Sequence, residues 1–117
     1  QTCYNLVEHT FERINVLMDK NELLAYIEEN SDILTKFYDK AFAYQTAKND
    51  DRPAARRWNE RRVERATEDM LATFSANIYD KLNGALKGKS EEKWLEYIES
   101  YEILDQLSEA VIELEFE

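Results

Sequence analysis

The sequence predicts an all-α protein, an antiparallel helical bundle of four to five helices with short loops, in a single domain over residues 1–117. Apolar residues recur every three to four positions through most of the chain. That is the period of an amphipathic helix, not the alternation of a strand. Only two glycines and one proline occur, and helix interiors exclude both residues, whereas sheets and long loops use them as punctuation. Apolar residues make up 44% and charged residues 34%, so a core and a solvated shell are both available. A chain of this size buries roughly two-thirds of the surface it exposes when unfolded.

The first segment, Cys3 to about Met18, places Cys3, Leu6, Val7, Phe11, Ile14, Leu17 and Met18 on one helical stripe. Asn21 is a candidate cap for a second helix carrying Leu23, Leu24 and Ile27. Asn30, Ser31 and Asp32 offer a break, with Ser31 a candidate N-cap. The register of Leu23, Ile27, Leu34, Phe37, Ala41 and Tyr44 nevertheless runs through it. One helix over 21–48 and two shorter ones both fit, and a break near residue 30 is the favoured reading.

Asn49 to Arg52 form the clearest loop. Pro53 suits the first turn of the next helix, where its missing N–H has no partner in any case. That helix is expected from Pro53 to Asn83 or Leu86, burying Ala55, Trp58, Ala66, Met70, Phe74, Ile78 and Leu82. Gly84 or Gly88 ends it, with Lys81 and Lys87 suited to the negative C-terminal end. Ser90 caps a last helix whose first turn holds Glu91 and Glu92, and whose stripe is Trp94, Ile98, Tyr101, Leu104, Leu107 and Val111. The tail from Ile112 to Glu117 alternates apolar and acidic residues. It reads either as a frayed helix end or as a strand that pairs only with a partner. Short connections between such helices force neighbours to run antiparallel.

Cys3 is the only cysteine, which rules out an intrachain disulfide and paired-cysteine zinc sites. A cytoplasmic or virion-internal setting fits this usage better than a secreted one. No apolar run approaches the roughly 20 residues that span a bilayer, and no signal-peptide pattern is present. No membrane association is therefore expected.

The net charge of −10 is unevenly spread. Residues 1–51 carry −5, residues 52–90 carry +4, and residues 91–117 carry −9. The basic stretch is Arg52, Arg56, Arg57, Arg61, Arg62 and Arg65. Clustered arginines neutralise nucleic-acid phosphates, which makes Arg57, Arg61 and Arg65 candidate nucleic-acid-binding residues. The alternative is a solvated face of i, i+3 pairs, Arg57–Glu60, Arg61–Glu64 and Arg65–Glu68, each contributing about 0.2–0.5 kcal/mol. Arg56 and Arg62, nearer the apolar border, are candidates to pair with acids of the last helix.

On that helix Glu92, Glu96, Glu99 and Glu102 share a face away from Trp94 and Ile98, and Asp105, Glu109 and Glu113 continue the charge. A carboxylate ladder of this kind suits a protein partner with a basic surface; otherwise it is a solubility face or an internal partner for the arginines. Tyr97 and Tyr44 are candidate anchors, since tyrosine is enriched at binding hot spots, although core packing accounts for either one. Complementary basic and acidic helices also suit a homodimer or a larger homo-oligomer.

No catalytic, cofactor-binding or metal-binding residue is assigned. His9 is the only histidine and lies beside Glu8 and Glu12. Nucleophilic chemistry also needs a positioned Ser or Cys and an oxyanion site, and a di-iron bundle needs two Glu-x-x-His elements. Asp50 and Asp51 lack the glycine and alternating acids of a calcium loop, and Gly84 and Gly88 build no phosphate loop. The expected function is non-catalytic binding of a macromolecule, as in an inhibitor, an immunity protein or an accessory subunit. A small nucleic-acid-binding subunit is the alternative, and no small-molecule substrate is expected.

Overall fold

The structure, a computed structural model, describes residues 17–116, and among them are five α-helices and no strand. They are α1 Lys20–Asn30, α2 Ile33–Asp50, α3 Glu60–Leu86, α4 Glu91–Ser100 and α5 Ile103–Glu113. The stripe expected from Cys3 lies outside the described residues except for its last two members. Neither of these is helical: Leu17 forms an isolated antiparallel bridge with Ser90, and Met18 is buried.

The cap of α1 is Asp19 and not Asn21. Its carboxylate accepts from the Glu22 backbone N–H (2.8 Å), and the Glu22 carboxylate accepts from that of Asp19 (3.1 Å). This reciprocal box satisfies two helix-end donors at once. The chain breaks at residue 31, the favoured of the two readings, so residues 20–50 form two helices. Ser31 ends α1 and does not cap α2: its hydroxyl donates to the Ile27 carbonyl (2.7 Å) and accepts from the Ile33 backbone N–H (3.4 Å). The N-cap position of α2 is Asp32.

α2 and α3 form a long antiparallel hairpin, about 27 and 40 Å at 1.5 Å per residue. Its connection differs from expectation. Pro53 leads only a 3-10 turn, Ala54–Arg56, followed by extended backbone. α3 starts at Glu60, capped by the Asn59 side chain on the Arg62 N–H (2.9 Å). The cause is Asn49, whose side chain accepts from the Trp58 backbone N–H (2.8 Å) and donates to the Trp58 carbonyl (3.1 Å). This pair holds Trp58 extended where a helix would need both groups for itself. Ala55 is consequently exposed and Trp58 half-buried.

Leu23, Ile27, Ile33, Phe37, Ala41, Ile78, Leu82, Leu86, Trp94, Ile98 and Val111 form one buried cluster that draws on all five helices. Tyr79 stacks on Trp94 (5.3 Å between ring centres), and its hydroxyl donates to the Met18 carbonyl (3.1 Å). α3 runs through Gly84 and ends at Leu86, and Gly88 turns the chain at φ +80°, a conformation glycine adopts without cost. Ser90 caps α4 as expected, accepting from the Lys93 N–H at 3.4 Å.

The single last helix is corrected to two. The chain turns at Tyr101 and Glu102, and Glu102 takes a left-handed φ of 51°. Gln106 reaches back to donate to the Tyr101 carbonyl (2.7 Å), capping the end of α4. The turn removes Tyr101 from the buried stripe, where it is 59% exposed. It also lets α5 fold back onto α4 and α2. The tail after Glu113 is neither a frayed helix nor a paired strand. Lys40 donates to the carbonyls of Ile112 (2.6 Å) and Leu114 (2.9 Å), and Phe116 packs edge-on against Phe37 (5.7 Å) and beside Tyr44 (5.1 Å).

Candidate macromolecule-binding surfaces

The hairpin brings all six arginines of residues 52–65 to the end of the molecule remote from α4. Most are held by their own surroundings. Arg52 and Arg62 both lie over the Trp58 ring system, 4.1 and 4.5 Å from its centre, a cation–π arrangement that engages both charges. Arg57 does not pair with Glu60; it donates to the carbonyls of Asp50 (3.3 Å), the last residue of α2, and Arg52 (3.0 Å), just beyond it. Arg61 meets Glu64 (3.3 Å) and Glu68 (3.5 Å). The hydrogen bond that Arg61 donates to Glu64, then the charge of Glu68, push its pKa up. Glu68 is thereby taken from Arg65, its expected partner. Arg56 and Arg65 remain exposed. Among the described residues, neither Arg56 nor Arg62 forms the expected ion pair with an acid of α4 or α5. The three candidate nucleic-acid residues divide accordingly: Arg61 and Arg65 stand a turn apart on α3, and Arg57 is in the loop.

At the other end, Glu92, Glu96 and Glu99 are exposed on α4. Glu96 is 3.6 Å from Lys93. Glu102, in the left-handed turn, leaves the ladder expected of a continuous helix, and Asp105, Glu109 and Glu113 belong to α5 on a new axis. Tyr97 is half-buried against Tyr101, with ring centres 4.6 Å apart. It lines a hollow of about 370 Å³ together with Leu86, Lys89, Lys93 and Glu96. The two lysines interrupt the acidic surface there. Tyr44 is committed to Phe116, with Lys48 over its ring at 5.2 Å.

One apolar feature was not anticipated from the sequence. Two hollows of about 450 and 480 Å³ share Phe74, Asn77 and Ala110 and form one groove between α3 and α5. Met70, Phe74, Ile78 and Leu82 supply one wall. Ile103, Leu107, Ala110 and Val111 supply the other, and Phe37, Leu114 and Phe116 close one end. The signal was present in α3. Besides the line Met70–Phe74–Ile78–Leu82–Leu86 it carries Val63, Thr67, Leu71 and Ser75 on an adjacent row. Such an arc is wider than the single stripe one neighbouring helix covers. Phe74, stacked on Phe37 at 4.1 Å between centres, remains only half-buried.

The edges of the groove are polar. Asp69 lies at the Met70 end and Lys81 at the Leu82 end. On α5, Gln106 and Ala110 line the groove; Glu109 and Glu113 follow each of them by three residues, on the outer side of the helix and outside the groove's lining. Both are exposed, and neither forms an ion pair among the described residues. No described group of three or more His, Cys, Asp or Glu side chains is arranged to hold a metal ion, and no described helix is long and apolar enough to cross a membrane. Cys3 and His9 lie outside the described residues. No known protein family, curated protein or solved structure matches this chain.

Proposed function

We propose that this chain is a non-catalytic helical protein that binds a macromolecular partner presenting a basic surface, as an inhibitor, immunity protein or accessory subunit does, through its acidic C-terminal helices and the groove that α5 forms with α3. The observation that carries the reading is the α3–α5 groove, largely apolar, with Asp69 at one end and Lys81 at the other, beside the exposed carboxylates of α5. Concave, mostly apolar clefts with a few polar groups are where proteins receive what they bind. Unpaired carboxylates beside it speed and orient encounter with a cationic partner. Glu92, Glu96, Glu99 and Glu102 add to the same field, since Lys93 is the only basic residue among the 27 that close the chain.

The test is capture of partners on the immobilised chain, at low and high salt and after nuclease treatment. A basic protein retained at low salt, insensitive to nuclease and lost with Glu109→Lys/Glu113→Lys, is the expected result. Retention that is unchanged by charge reversal overturns the reading.

A second reading, a small nucleic-acid-binding subunit, is favoured by the gathering of six arginines at the hairpin tip. It acts through Arg57, Arg61 and Arg65. The internal engagement of Arg57 and Arg61 weighs against it. Failure to retain RNA or DNA at about 50 mM salt, where phosphate contacts dominate, ends it.

A further inference from the structure

The hairpin tip gathers two like charges on one aromatic ring. The guanidinium carbons of Arg52 and Arg62 lie 4.1 and 4.5 Å from the centre of the Trp58 ring system, so the two cations stand no farther apart than those distances together. Stacking on a ring face engages the charge and leaves the in-plane N–H fork free to donate. Neither arginine forms an ion pair among the described residues, although Asp50, Asp51 and Glu60 are close in sequence. The Nε–H of Arg52 is buried, and among the described residues it has no hydrogen-bond partner.

The backbone that carries these groups is tied down. Asn49 holds Trp58 by two side-chain hydrogen bonds, and its carbonyl accepts from the Arg52 N–H (3.0 Å). Arg57 clasps the Arg52 carbonyl, and the Asn59 side chain accepts from the Arg62 N–H. Little ordering is left for a ligand to impose, which favours binding. We propose that the hairpin tip is a binding site for a phosphate monoester group, held by the guanidinium forks of Arg52 and Arg62 beside the Trp58 ring.

A buried donor without a partner calls for an explanation. A water molecule would satisfy the Nε–H but would leave the repulsion between neighbouring cations in place. An anion answers both. A carboxylate offers two oxygens and one charge, which a single fork consumes. A phosphate monoester offers three acceptor oxygens and a charge of about −1.5 to −2 near neutral pH, which suits two forks. Each phosphodiester of a nucleic acid carries only one charge. Arg56, exposed in the 3-10 turn, strengthens the positive field. The site takes no ligand from the acidic helices, nor from Arg57, Arg61 or Arg65, so it stands apart from both readings above.

Inorganic phosphate is titrated into the ¹⁵N-labelled full chain at constant ionic strength, sodium chloride making up the balance. The Trp58 indole N–H and the amides between Arg52 and Arg62 are expected to shift, while the Trp94 indole stays. Arg52→Gln and Arg62→Gln should each weaken binding at least about tenfold, the loss of a charge-assisted hydrogen bond. Arg62 is exposed, so its variant keeps the test standing should loss of Arg52 loosen the loop. Lys87→Gln removes the same charge beyond the other end of α3 and should leave binding unchanged. Phosphoserine is the second probe. Tighter binding than inorganic phosphate assigns the group to a modified side chain, and weaker binding assigns it to the free ion.

Shifts that chloride reproduces at equal ionic strength, or an equal loss of binding in Lys87→Gln, overturn the site. Equal affinity for acetate overturns the choice of a phosphate. Tighter binding of an oligonucleotide without terminal phosphates, with shifts reaching Arg61 and Arg65, overturns the single-anion site in favour of the nucleic-acid reading.

Discussion

Phe37 of α2 meets both α3 and the tail, which makes Phe37→Ala a sharp test of the packing. Its ring is 4% exposed, stacks on Phe74 of α3 at 4.1 Å, and receives the edge of Phe116 from the tail at 5.7 Å. Truncating a buried Phe to Ala costs about 3–5 kcal/mol, transfer and cavity together. Each aromatic pair adds about 0.5–1.5 kcal/mol beyond buried area, and two pairs are lost, so the upper part of that range applies. Against a total stability of about 5–15 kcal/mol for a domain, the variant should lose a third or more of its margin. The melting temperature should fall by well over 10 °C, taking about 4 °C per kcal/mol for a domain of this size. Phe37→Leu keeps most of the volume and should lose roughly 1–1.5 kcal/mol. Urea unfolding followed by far-ultraviolet circular dichroism measures both. A loss under about 1 kcal/mol for Phe37→Ala, the scale of an ordinary substitution, would refute the convergence of α2, α3 and the tail on this ring.

The remaining expectations concern the connections. Asn49→Ala removes both bonds that hold Trp58 extended and should cost about 1–3 kcal/mol, the penalty of stranding partly buried backbone groups. The Trp58 amide should then exchange faster with solvent. Gly84 lies within α3, and a methyl group added there would have no neighbour within 4 Å, so Gly84→Ala should raise stability by about 0.5–1 kcal/mol. Gly88→Ala, at φ +80°, should lower it by at least about 1 kcal/mol, and equal shifts in the two melting curves would contradict the assigned end of α3. Ser90→Ala removes the cap of α4 and should cost about 0.5–1 kcal/mol, at the lower end for a cap because the bond is 3.4 Å long.

How much of this was legible in the sequence differs from element to element. The stripes of α1 and α2, the break after Asn30, the cap at Ser90 and the turn at Gly88 follow from local periodicity and backbone chemistry, which act within a few residues. The start of α3 was missed because a long-range bond decides it. Asn49 reaches nine positions ahead to Trp58, and Pro53 on its own is an equally good beginning for a helix. The turn between α4 and α5 contains neither Gly nor Pro. A glutamate adopts the left-handed conformation, which costs about 1–2 kcal/mol, and the return of α5 onto α2 offsets it. That balance is tertiary and leaves no local mark.

The acidic residues were identified correctly as exposed. Their alignment into one ladder failed with the helix that was to carry it. The groove escaped notice for a related reason. A wide apolar arc on α3 reads as core until the number of helices covering it is known, and only the path of α5 settles that number.

The association rate of the captured partner as a function of salt tests the binding account most directly. With the carboxylates of Glu109 and Glu113 steering encounter, the rate should fall steeply as salt rises, and Glu109→Lys/Glu113→Lys should lower it and flatten the dependence. A rate indifferent to salt, and identical in the reversed variant, would contradict it.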